Sequence, residues 1–244
     1  MTTWLAFKSI LVKDIKTYYL KPPNISWGLV FPVAWALMFF LRSGDPLNIR
    51  EVLPGLVSLS ILFGTTSMLA VTITFEKKQA SFDRLLLAPI DLNILMFAKT
   101  AGAIVFGIFN ALVPLLLAVF FTDVSGISWF PALMSILLIS ITSTFMGLFI
   151  AVSVKEVFEA QTFSNFFRFP MIFLCGLFIP LETLPVVIRP LAYVLPLTYG
   201  ADMLKYAING ENLFSPWLSI ILLIIFAAGL FVYSIMSVRE KWIK

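Results

Sequence analysis

Few residues in this chain could do covalent chemistry. Histidine is absent, and cysteine occurs once, at Cys175. A Ser-His-Asp arrangement and an H-E-x-x-H zinc site are therefore excluded, no intrachain disulfide can form, and neither catalytic nor metal-ligating residues are expected. No G-x-x-x-x-G-K-[ST] run is present to cradle the phosphates of ATP. What the chain does concentrate is charge, in the segment Glu76-Lys77-Lys78-Gln79-Ala80-Ser81-Phe82-Asp83-Arg84-Leu85-Leu86-Leu87-Ala88-Pro89. Its first nine residues hold five charges, and a leucine run stopped by proline comes next. As a helix it would put Phe82, Leu85 and Leu86 on one face with most of the charge elsewhere. That pattern suits docking of a partner at a membrane surface, with an ordinary solvated loop as the alternative.

Two other charges stand apart. Arg168 lies inside an apolar run, where an arginine at mid-depth costs roughly 2.5–3.5 kcal/mol on insertion scales. It either reaches back to the interface near Glu159 or faces a pathway or a dimer interface. Glu182 opens a proline-rich segment, as a helix cap or surface anchor. Asn24, Asn110 and Asn165 sit in or near apolar runs, where amides bond between helices.

The elements that must position these groups are membrane helices. Hydrophobic residues make up 60% of the 244 and charged residues 12%, about half the ~25% charge of a soluble domain. The expected fold is an all-α integral membrane protein, a single transmembrane domain over residues 1–244. Six runs approach the ~20 residues that a bilayer demands: Asn24–Leu41, Val52–Phe75, Ile94–Phe121, Pro131–Val154, Thr162–Ile179 and Pro216–Val238. Pro114 and Pro170 should kink the third and fifth. The first run is long enough to stay as a span, not a cleaved signal. The net charge of +4 reads as an orientation signal, not as a nucleic-acid footprint. With the N-terminus inside, twelve of the seventeen Lys and Arg fall inside and four outside, with Arg168 within a span. This predicts cytoplasmic N- and C-termini. Trp27, Trp129, Trp217 and Trp242 lie near span ends, as interfacial rings prefer, and Trp35 is the exception.

Two segments flank the spans. Over residues 1–22, Trp4, Phe7, Leu11, Ile15 and Tyr18 recur at helical steps opposite Ser9, Lys13 and Lys16, which predicts a helix lying in the cytoplasmic interface. A soluble helix packed on a partner is the alternative. Residues 180–212 carry prolines at 180, 185, 190 and 196 yet remain apolar, which predicts a broken re-entrant hairpin in the outer leaflet. It should contain a helix from Thr198 to Asn209 stopped by Gly210. No internal repeat of the inverted-repeat transporters is visible.

Glu76–Pro89 resembles the E-[KR]-x-x-x-x-[ED]-x-L-x-x-x-P segment of permeases of the type-2 ABC exporter family. Gly176-Leu177-Phe178-Ile179-Pro180-Leu181-Glu182-Thr183-Leu184-Pro185, continuing through Pro190 and Pro196 to Tyr199, is similar to that family's signature after the fifth span. Ala80-Ser81 departs from the glycine-threonine the family often has there. The resemblance implies a two-subunit pore, a homodimer of permease copies, served by a separately encoded cytoplasmic ABC ATPase that binds ATP and Mg; this chain would hold no cofactor. It implies a coupling helix within residues 76–91 that meets the ATPase through Glu76, Lys77, Lys78, Phe82, Asp83, Arg84, Leu85 and Leu86. Lys155, Glu156 and Glu159 would make a second contact. The hairpin would roof the pathway, with Arg168, Glu182, Tyr193 and Tyr199 as candidate pathway or exit residues. The expected partners are membrane lipids and a lipophilic substrate, with no nucleic acid, at the plasma membrane. An ion-coupled secondary transporter and an intramembrane enzyme are the rival classes.

Overall fold

The computed structural model describes residues 3–21, 30, 33, 34, 37, 38, 49–177 and 179–243. The regular elements among the described residues are helical. Helix α1 (Thr3–Asp14) runs into a π turn at Ile15–Tyr19. Then come α2 (Ile49–Lys78), α3 (Ser81–Leu86), α4 (Leu92–Phe121), α5 (Trp129–Ser153) and α6 (Val157–Leu174). A 3-10 turn at Leu181–Thr183 precedes α7 (Arg189–Val194), α8 (Pro196–Asn209) and α9 (Pro216–Trp242).

Four of these, α2, α4, α5 and α9, are long and apolar enough to cross a membrane. They correspond to the second, third, fourth and sixth expected spans. The first expected span, Asn24–Leu41, falls largely outside the described residues, as do Trp27 and Trp35. The fifth is displaced by five residues: α6 runs from Val157 to Leu174 in place of Thr162–Ile179 and carries Gln161, Asn165 and Arg168 within its 18 residues. Helices α4 and α6 continue through Pro114 and Pro170 without interruption.

Helix α2 is the hub, packed on α4, α5, α6 and α8. Leu59, Ile61 and Leu62 are fully buried, and small residues let its backbone be approached closely. At Gly147 of α5 a Cβ would stand 2.5 Å from the Thr66 carbonyl oxygen, so the two helices meet backbone to backbone. By contrast α9 leaves Ile221, Ile224 and Ile225 exposed, as an outer helix facing lipid or a partner should.

The proline-rich segment folds as separate short helices, as the prolines require. Helix α8 begins at Pro196, two residues before the expected start, and stops at Gly210, whose φ is +78°. Thr198 Oγ1 donates to the Ala192 carbonyl at 2.5 Å, and Arg189 Nη2 to that of Glu182 at 2.7 Å.

Helix α1 packs along α4. Ala6, Ile10, Asp14 and Tyr19 are buried, Trp4 is 71% exposed, and Phe7, Leu11, Ile15 and Tyr18 are only partly covered. The π turn adds a residue to its turn and rotates the residues beyond it. Tyr19 is thereby brought onto Phe106, with ring centroids 5.5 Å apart.

Candidate functional site

The charged segment after α2 is built as a bent pair of helices. Helix α2 ends at Lys78, and Ala80 takes a left-handed conformation at φ +55°, the one non-glycine residue among those described with positive φ. Ser81 Oγ donates back to the Glu76 carbonyl at 3.0 Å and α3 starts there. Phe82 is fully buried and meets the Trp242 ring edge-on at 5.1 Å. Lys77 Nζ lies 4.1 Å from the centre of the same ring. Asp83 and Arg84 are exposed, and Leu85 and Leu86 are half-buried.

Glu76 and Phe82, both expected among the contact residues, therefore face into the bundle in this conformation. Glu76 has no exposure, because α2 continues unbroken through it to Lys78. Its carboxylate accepts from Lys13 Nζ at 2.5 Å and from Lys99 Nζ, which also reaches Asp14 at 3.0 Å. Lys99 and Asp14 are likewise fully buried. A buried cation between two carboxylates thus ties α1, the end of α2 and the start of α4 together, at both roots of the charged segment. Burial outweighs the lysines at Asp14 and leaves its carboxyl above the usual range. Spacing could not reveal this cluster, since Lys99 and Asp14 are 85 residues apart. A lysine two turns into an apolar helix was the one available signal.

The α5–α6 turn lies beside it. Lys78 Nζ meets Glu156 at 2.6 Å, so the two expected contact segments touch. Lys77, Lys78, Lys155, Glu156, Lys241 and Trp242 line a cavity of about 640 Å³ between them. Lys155 and Glu156 are exposed. The Glu159 carboxylate accepts from the backbone N–H groups of Lys155 at 3.0 Å and Glu156 at 3.2 Å, which caps α6.

The pathway candidates do not converge. Arg168 is 3% exposed and does not turn back to Glu159; its guanidinium carbon lies 4.5 Å from the Phe63 ring centre. At the other end of the bundle, Glu182 is exposed and borders a cavity of about 280 Å³ shared with Asp202, Lys205 and Glu211. Asp202 accepts from the backbone N–H groups of Leu213 at 2.7 Å and Phe214 at 3.0 Å, and Lys205 donates to the Gly176 carbonyl. Burial pushes the Asp202 carboxyl up and the Lys205 amine down. Tyr199 is buried and donates to the Tyr193 carbonyl at 2.8 Å, and both rings pack on Phe214. The two tyrosines thus brace the short helices.

The model of the family described as ABC-2 type transporter matches residues 5–209 of this chain. The chain is also 24% identical over 218 residues to an inner membrane transport permease, YadH, of Escherichia coli strain K12, covering 86% of this chain and 85% of that protein. The counterpart in Shigella flexneri matches at the same 24% identity over 218 residues. Taken with the apolar helices, these likenesses mean that the chain is an integral membrane protein and belongs to the ABC-2 type transporter family.

Proposed function

We propose that this chain is the membrane-spanning permease subunit of an ATP-driven exporter, working as a homodimer at the plasma membrane with both termini in the cytoplasm. It moves an amphipathic or lipophilic substrate outward, while ATP and Mg are bound and hydrolysed on a separate ATPase. The observation that carries this reading is the make-up of α3. This short helix turns Asp83 and Arg84 outward and fixes its inner side by Phe82 on Trp242. It hangs from a root, Glu76, riveted to α1 and α4.

In this reading α3 is the coupling helix. Its contact surface is Lys77, Lys78, Asp83, Arg84, Leu85 and Leu86, joined by Lys155 and Glu156, whereas Glu76 and Phe82 transmit motion from inside. Closure of the ATPase displaces α3, and the buried ion cluster carries the displacement into α1, α2 and α4 as one rigid body.

Co-purification with an ATPase encoded beside this chain tests the proposal. A complex whose hydrolysis rate depends on the permease supports it. Transport that persists without ATP and collapses with the ion gradient would replace it with an ion-coupled carrier. Reversing an exposed contact charge, Arg84→Glu, is expected to lower ATPase capture about fivefold or more while the thermal midpoint of the chain alone stays put. Undiminished capture would remove α3 from the interface.

A further inference from the structure

Among the described residues, five charged side chains are buried: Asp14, Glu76, Lys99, Arg168 and Asp202. Asp14 and Glu76 are balanced by Lys99 together with the half-exposed Lys13, and Asp202 takes two backbone N–H groups. Arg168 is different. It stands twelfth in α6, about 17 Å along the helix axis from its start, and neither Nε nor Nη2 has a hydrogen-bond partner. Its contact with Phe63 supplies no oxygen acceptor for the donors at the guanidinium edge.

The helix across from it has spare donors too. Ser60 and Ser67 lie three residues before and four after Phe63, on the same side of α2. Both hydroxyls are buried and unpartnered. No carboxylate occurs in α2 between Glu51 and Glu76, nor in α6 beyond Glu159. The two hydroxyls stand about 10 Å apart along the helix axis, so one at a time can join the guanidinium on a single oxyanion, and with no acid to answer them these donors favour an anion. The planar fork of arginine suits two oxygens of a phosphate or carboxylate.

We propose that Arg168, with Ser60 or Ser67 as a second donor, binds the anionic phosphate or carboxylate of an amphiphile between α2 and α6, within the membrane. That the amphiphile is cargo rests on the permease reading; that it binds does not. The charge which the fold leaves unanswered is answered by the ligand, as a buried cation in a medium of low dielectric requires.

The test uses the full chain in a neutral detergent, with the thermal midpoint as readout. The probes are dihexanoyl phosphatidylglycerol, dihexanoyl phosphatidylcholine and inorganic phosphate. The phosphatidylglycerol is expected to raise the midpoint of wild type and of Lys8→Gln, a surface-charge control, and the phosphatidylcholine is not. Arg168→Met should weaken that response at least tenfold and Arg168→Lys less. Ser60→Ala with Ser67→Ala should weaken it several-fold, which keeps the test alive if the arginine variants fail to fold. An Arg168-dependent response to inorganic phosphate as well would mark the oxyanion itself as sufficient; a response to the lipid alone would show that the acyl chains are needed. Equal responses in wild type, Arg168→Met and the double serine variant would overturn the site. In complex with the ATPase, hydrolysis stimulated by the phosphatidylglycerol through Arg168 identifies cargo, and binding without stimulation identifies a resident lipid.

Discussion

Lys99 and Arg168 are both buried cations on helices of one bundle, and the fold treats them oppositely. Lys99 lies between Asp14 and Glu76, carboxylates from two other elements, with no exposure. Arg168 has an aromatic ring and bare donors. Burying either charge is expensive, and breaking a buried pair leaves an uncompensated ion behind. The contrast separates two uses of charge inside a membrane protein. A cation with its anions built in rivets elements together, and in the proposed mechanism it transmits a push. A cation without them is incomplete until something anionic arrives.

The sharpest way to break this comparison is to turn each cation into methionine. Lys99→Met leaves two buried carboxylates with only the half-exposed Lys13 beside them and should destabilise the chain by about 3–5 kcal/mol, the range for removing one partner of a buried pair. Adding Glu76→Gln should recover part of that loss. Arg168→Met removes a charge that no carboxylate among the described residues balances, so in neutral detergent its midpoint should hold or rise. Thermal unfolding of both variants decides it. Equal losses would mean that Arg168 is held by the fold as firmly as Lys99.

A smaller effect is expected one step along the transmission line. Phe82 touches Trp242 and packs in the cluster with Leu69, Ile73 and Met96. Phe82→Ala should cost about 3 kcal/mol, at the low end for a buried phenylalanine, because the site lies at the rim of the bundle. In the ATPase complex it should reduce permease-dependent stimulation of hydrolysis more than it reduces complex formation. The reverse order would make Phe82 a docking residue after all.

Much of the architecture was legible because it is local. The apolar runs marked α2, α4, α5 and α9, the spacing of Phe82, Leu85 and Leu86 put the covered side of α3 where it lies, and Gly210 marked the end of α8. What escaped depends on partners distant in sequence or on small changes of helical register. Glu76 read as a docking charge because it adjoins Lys77 and Lys78, yet α2 continues unbroken through it and turns it inward to Lys99. Asp14 is buried against Lys99, an ion partner 85 residues away that the apolar pattern of α1 does not reveal, and the π turn shifts the residues after it. Arg168 stood out in its run, but only the fold reveals that its Nε and Nη2 have no partner among the described residues.

The smallest predicted effect concerns the joint between the rivet and the coupling helix. Ala80 sits at φ +55°, where a Cβ crowds the next carbonyl and costs roughly 1–2 kcal/mol. Glycine takes this conformation without that cost but loses more entropy on folding, roughly 0.5–1 kcal/mol. Ala80→Gly should therefore stabilise the chain by up to about 1 kcal/mol, seen as a slightly raised midpoint. Ala80→Val, β-branched and at positive φ, should move it the other way. The pair bears on the comparison because strain at Ala80 lies between the ion cluster and α3. If relieving it also slackens ATPase stimulation, then the bend itself, as well as the buried charges, carries the push.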